Sequence, residues 1–191
     1  MKPTIQPRHV ACALTLAVAS LNASPARAQQ AGAAPPPTTT VTIQAALAGD
    51  VGTLAEKFEG LAKVMAGKYD WKPGEGVRSA GDVFNLIVNE KKMLVGVLAG
   101  TPARPRGARP APITDPTELQ AALRASYADL KQALAALSES DLKATVRMFG
   151  RETTKQGAAL LLLFDQHEHL GQSIAYARSN GVVPPWSLGA K

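Results

Sequence analysis

Apolar residues recur every three or four positions along four segments of the chain, with polar residues between them. In the first, Leu54, Phe58, Leu61 and Met65 follow i, i+4, i+7, i+11, the spacing of one face of a helix. This predicts a helix over about 42–68, weakened in its early turns by Gly49 and Gly52. The second carries Val83, Phe84, Ile87 and Leu94 and runs to about Leu98. It opens at Ser79, where Ser79-Ala80-Gly81-Asp82 has the layout of a capping box. The third starts at Asp115-Pro116-Thr117-Glu118, an N-cap acid followed by a first-turn proline and a first-turn acid. It continues through Leu119, Leu123, Tyr127, Leu130 and Leu134 to Leu137. The fourth begins near Thr153 and ends at about Asn180, where Asn180-Gly181 tolerates positive φ and Pro184-Pro185 prevents its resumption. No run sustains a two-residue alternation, so no sheet is expected. The expected fold is all-α, a four-helix bundle of helices roughly 20 to 28 residues long.

The connections differ in character. Residues 69–78 (YDWKPGEGVR) form a compact turn whose Tyr69 and Trp71 are expected to fold back onto one end of the bundle, with Trp186 plugging an end as well. Residues 100–114 form a proline-rich crossover carrying Arg104, Arg106 and Arg109, read as a solvated loop. Its length suits a connection between helices that are not hairpin partners.

The fourth segment changes character along its length. Ala158, Leu161 and Leu162 lie on or beside a line that continues as Asp165, His169, Gln172 and Tyr176, again at i, i+4, i+7, i+11. A polar stripe prolonging an apolar one is expected to face a cavity rather than open water. His167 points to nearly the opposite side. Two readings of Asp165 and His169 follow. They are two ligands of a metal site completed by water, Asn89 or Glu90, or they are a hydrogen-bonded pair satisfied within the bundle core.

The N-terminus changes the inferences drawn from charge and cysteine content. Lys2, Arg8 and His9 precede the apolar run 10–21, and Ala26-Arg27-Ala28 is a small-x-small cleavage site, the layout of a secretory signal peptide. The run falls short of the roughly 20 residues a span requires. Residues 1–28 are therefore read as a signal, 29–41 (a Pro/Ala/Thr tract) as a disordered tether, and 42–187 as the bundle. The product is expected to be periplasmic or secreted, with no stable membrane span. Removing Lys2, Arg8 and Arg27 lowers the net charge from +6 to +3, too little for the concentrated basic face a nucleic-acid partner needs. The single cysteine, Cys12, leaves with the signal. The mature chain then has neither a disulfide nor a cysteine nucleophile.

Two stretches together resemble the DinB-like family of metal-dependent bundles. They are Tyr69-Asp70-Trp71-x-Pro73-x-x-Gly76-Val77-Arg78-Ser79-x-Gly81-Asp82-Val83 and Glu168-His169-x-Gly171-Gln172-x-x-x-Tyr176-x-Arg178-x-Asn180-Gly181-x-x-Pro184-Pro185. The resemblance implies a four-helix bundle with a long crossover between helices two and three, and frequently a homodimer. It also implies a divalent metal, often nickel or zinc, on three histidines, one from helix two and two at i, i+4 on helix four. Carried over by position, these fall on Leu86, Asp165 and His169. Leu86 binds no metal, and Asn89 and Glu90 lie one turn beyond it. The departure favours an exported bundle with a degenerate metal site that binds a small molecule or a partner without catalysis. The alternative is a divalent-metal-dependent enzyme of the thiol-transferase or isomerase type that the resemblance implies.

Overall fold

The computed structural model describes residues 41–101 and 110–187. Residues 1–40, where the signal peptide and most of the tether are expected, and the crossover arginines Arg104, Arg106 and Arg109 lie outside the described residues. The expected long helices all form: α1 (Ile43–Val64, followed by a 3-10 turn over Ala66–Lys68), α2 (Ala80–Leu98), α3 (Pro116–Ala135) and α5 (Lys155–Ser179). A short helix, α4 (Glu139–Lys143), and two strands, β1 (Thr145–Met148) and β2 (Arg151–Thr154), separate α3 from α5.

Local chemistry sets the helix starts. At Ser79 the hydroxyl accepts from the Asp82 amide while the Asp82 carboxylate accepts from the Ser79 amide, both at 3.1 Å. This reciprocal box satisfies two donors that the first turn leaves free. Asp115 accepts from the Glu118 amide at 2.8 Å, with Pro116 as the first helical residue. Thr154 caps α5 through the Gly157 amide at 3.0 Å.

The absence of a sheet was the one expectation about architecture that fails. β1 and β2 pair antiparallel, Thr145 opposite Thr154 and Met148 opposite Arg151. They turn through Phe149 (φ 51°) and Gly150 (φ 80°). Two successive positive-φ residues make the tight turn whose twist matches the strands. Each strand has four residues, and Met148 is the only one that becomes buried. The alternation is therefore too short and too polar to register. Phenylalanine also stands where Asn or Asp normally announces such a turn.

α1 and α2 each pack on both α3 and α5, so consecutive helices α1 and α2 are not the main neighbours of each other. The described end of the crossover fixes the direction of α3. Asn85, near the start of α2, holds Ile113, just before α3, through its carbonyl oxygen (2.8 Å) and its amide nitrogen (2.9 Å). The N-termini of α2 and α3 therefore share one end of the bundle. The crossover must return along the whole of α2, about 28 Å at 1.5 Å per residue.

The core runs through Leu54, Phe58, Leu61, Phe84, Ile87, Leu94, Leu119, Leu123, Leu130, Leu134 and Leu162, each essentially without solvent exposure. Leu161 departs from its expected place beside the stripe and is exposed, as is Phe164. The 69–78 turn closes one end as expected. The buried Tyr69 donates its hydroxyl to the Ala62 carbonyl at 2.9 Å and sets its ring edge-on to Phe84. Gly81 packs closely there: a Cβ would stand 3.1 Å from the Tyr69 Cβ and 3.2 Å from its carbonyl oxygen, so Tyr69 would have to give way slightly. Trp186 stays more than a third exposed, with Lys57 over its ring, and Pro185 rather than the indole seats against Gly60. No helix among the described residues is long and apolar enough to cross a membrane.

Candidate metal centre

Asp165 and His169 face inward from successive turns of α5. Their closest approach, Nε2 to Oδ2, is 3.6 Å. That is longer than a hydrogen bond. Glu90 of α2 completes the group: one ligand atom from each of Glu90, Asp165 and His169 lies within 4.8 Å of the others, and all three side chains are half-buried. Leu86, a hydrocarbon side chain, offers it no ligand atom. Asn85 is committed to Gly81 and Ile113. His167, on the other side of α5, pairs with Asp50 of α1 at 3.0 Å.

Two side chains hold Glu90, one directly and one through the other, and a buried lysine lies beside them. Gln166 donates to the Glu90 carboxylate at 3.0 Å, and Tyr127 donates to the Gln166 amide oxygen at 3.1 Å. Burial pushes the Tyr127 phenol well above its ordinary range, so it remains a donor. Lys91, the next residue, is fully buried with its Nζ 3.6 Å from the centre of the Tyr127 ring. Burial drives its ammonium well below its ordinary pKa, with the Glu90 charge opposing. Gln166 interrupts the apolar run of α5 and is 1% exposed. An amide among leucines was the available signal, because buried polar groups are there to be bonded.

The electrostatics of the group suit a cation. Glu90 is raised from its ordinary 4.5 to about 8, first by burial and then by the charge of Asp165. Two carboxylates this close in a desolvated site do not both ionise readily. The Asp165 Oδ2 is buried with no hydrogen-bond partner among the described residues. A proton on Glu90 shared with Asp165 answers both features, and so does a divalent ion bound between the two carboxylates. The geometry allows it. Donors at about 2.1 Å from one tetrahedral ion lie about 3.4 Å apart, so the group closes with side-chain shifts of up to about 1.4 Å. One imidazole and two carboxylates offer a divalent ion three donors, with at least one position left open.

The Glu90 shift has a testable consequence. Its folded pKa is raised, so its contribution to stability is complete below about 4.5 and is lost as pH rises through about 8. Lys91 acts in the opposite sense, because its depressed pKa makes stability rise toward its ordinary 10.5. Comparing metal-free parent with Glu90→Gln isolates the Glu90 contribution. Their difference in unfolding free energy should change by up to roughly 1.4 kcal/mol per pH unit between the two Glu90 values, with the variant holding its stability better at high pH. Parallel pH profiles in chemical denaturation would mean that Glu90 ionises normally.

The sequence model of the DinB superfamily matches residues 53–173, from α1 through the stripe of α5. The chain belongs to the DinB superfamily. Two solved DinB-like structures share its fold. The protein YjoA of Bacillus subtilis is 20% identical with a TM-score of 0.60, covering 71% of this chain and 92% of its own. A DinB-like protein of Bacillus cereus is 18% identical with a TM-score of 0.62, covering 73% of this chain and 93% of its own. Among curated proteins none matches. In this DinB-superfamily bundle the carboxylate of the second helix that meets Asp165 and His169 is Glu90, one turn beyond the position that the resemblance assigns to Leu86.

Proposed function

We propose that the chain is an exported DinB-superfamily protein that holds a divalent ion, zinc or nickel, on Glu90, Asp165 and His169 and binds a small molecule at its open side. The observation that carries this reading is the convergence of one imidazole and two carboxylates, one of them with an orphaned buried oxygen, in the middle of the bundle. The expectation of a degenerate site rested on Leu86. Glu90 supplies a third donor from the same helix, and the metal-dependent reading gains accordingly. A bound divalent ion would supply Lewis-acid chemistry, polarising an oxygen or lowering the pKa of a thiol presented to it. The chain itself would contribute positioning: Gln166 and Tyr127 aim Glu90, and the apolar walls of α2 and α5 limit water. Its only cysteine is Cys12, so a reacting thiol would come with the small molecule. The exposed Leu161 and Phe164 on the outer face of α5 would be covered in a homodimer of the kind the resemblance implies.

The test is metal content. Protein recovered from the envelope fraction should begin at or near Gln29 by intact mass and carry close to one equivalent of zinc or nickel. His169→Ala, recovered in the same way, should carry almost none. Equal metal in parent and variant, or none in either after growth with added metal, refutes the assignment.

A further inference from the structure

His169 is joined to a chain of hydrogen bonds that ends on the backbone, and the direction of every bond in it is determined. The Arg78 carbonyl oxygen can only accept, so the Tyr176 hydroxyl, 3.2 Å away, donates to it. The Tyr176 oxygen is then an acceptor for the Gln172 amide nitrogen at 2.9 Å. That orients the Gln172 side chain, leaving its carbonyl oxygen 3.0 Å from His169 Nδ1. A carbonyl oxygen only accepts, so Nδ1 carries a proton, and in the neutral ring Nε2 is left with the lone pair. Nε2 is the atom that faces Asp165 Oδ2 at 3.6 Å. In the neutral ring two acceptors therefore stand opposite each other, in keeping with a gap too long for a hydrogen bond.

We propose that Gln172 is a positioning residue for the metal ligand His169, locking the imidazole in the Nδ1–H tautomer with Nε2 turned toward Glu90 and Asp165. Tyr176 aligns Gln172, and the Tyr176 ring is fixed in turn by Trp71, edge-on at 5.2 Å. The 69–78 turn thereby reaches His169 through two side chains of α5, Tyr176 and Gln172. The inference deepens the proposed metal site and rests on it for its function. The tautomer itself does not depend on metal.

Partners that orient a ligating imidazole typically change metal affinity by about 10- to 100-fold when removed. The experiment combines two measurements on the mature protein. Long-range 1H–15N spectra of metal-free, histidine-labelled protein report which nitrogen of the neutral His169 ring is protonated. Zinc affinity is read by competition with a chromophoric chelator. The parent should show Nδ1 protonated, and Gln172→Ala should show mixed tautomers and zinc binding weaker by about 10- to 100-fold. Gln172→Glu, which keeps an acceptor for Nδ1–H, should hold both properties near those of the parent. Tyr176→Phe keeps the ring on Trp71, removes the hydroxyl and should fall between them. A parent ring protonated at Nε2 overturns the proposal, as does Gln172→Ala binding zinc as tightly as the parent. A parent with the Nδ1–H tautomer and no zinc affinity upholds the orientation of the ring and overturns the metal reading instead.

Discussion

Zinc or nickel added to the metal-free protein should raise its unfolding free energy by about 2.7 kcal/mol at a hundredfold excess over the dissociation constant. For a domain of this size that corresponds to roughly 5–10 °C in thermal midpoint. The gain arises because Glu90, Asp165 and His169 converge only in the folded chain, so metal binds one state and not the other. His169→Ala and Glu90→Gln should each lose most of the shift. The second keeps the volume of Glu90 and an acceptor for Gln166, while removing the anion. Asn89→Ala, beside Glu90 but outside the group, should keep the full shift. Leu86→His tests the position that the resemblance singles out. With Glu90 already supplying the donor from α2, the added imidazole should increase the shift little. A large increase, or an undiminished shift in Glu90→Gln, would place the site one turn nearer the start of α2. Thermal melts of the four variants with and without metal decide between these outcomes.

The largest loss of stability should come from Phe58→Ala, at about 3–5 kcal/mol. Phe58 has no solvent exposure and stacks on Tyr127, with ring centroids 6.3 Å apart and planes 26° apart. This contact joins α1 to α3 where Tyr127 also covers Lys91 and holds Gln166. Truncation leaves a cavity that neighbouring side chains fill only in part. It also frees the ring that supports the Glu90 network, so zinc affinity should fall as well. Phe164→Ala is the control. Phe164 is 64% exposed, and its loss should cost about 0.5 kcal/mol or less. Denaturant titrations with unchanged m-values measure both. Similar costs for the two variants would show that α5 is rotated from the orientation described above.

Helices and their beginnings were legible in the sequence because their causes are local. The Ser79 box and the Asp115-Pro116 start are each set within four residues, and the stated boundaries fall within a few residues of those observed. The stripe Asp165, His169, Gln172, Tyr176 was legible for the same reason. Spacing within one helix fixes which side chains share a face, whatever the helix packs against. The β1–β2 hairpin was local too, yet it escaped notice. Its strands bury a single residue, Met148, and its turn uses Phe149 in a conformation that phenylalanine seldom adopts.

The identity of the third donor lay beyond the sequence. Leu86 and Glu90 are four residues apart, so they share one stripe of α2, and periodicity cannot tell which turn meets Asp165 and His169. That choice is an axial register between two helices. It is set by how Phe84, Ile87 and Lys91 pack against their neighbours and by the bond from Gln166 to Glu90 across 76 residues of chain. Charge state was equally nonlocal. Glu90 is raised to about 8 only because folding removes its water and brings Asp165 to it. By itself the sequence determined the bundle, its family and two members of the stripe, since these follow from backbone geometry and short spacings. Tertiary structure alone decided which α2 side chain faces that stripe, because packing between distant segments fixes the register.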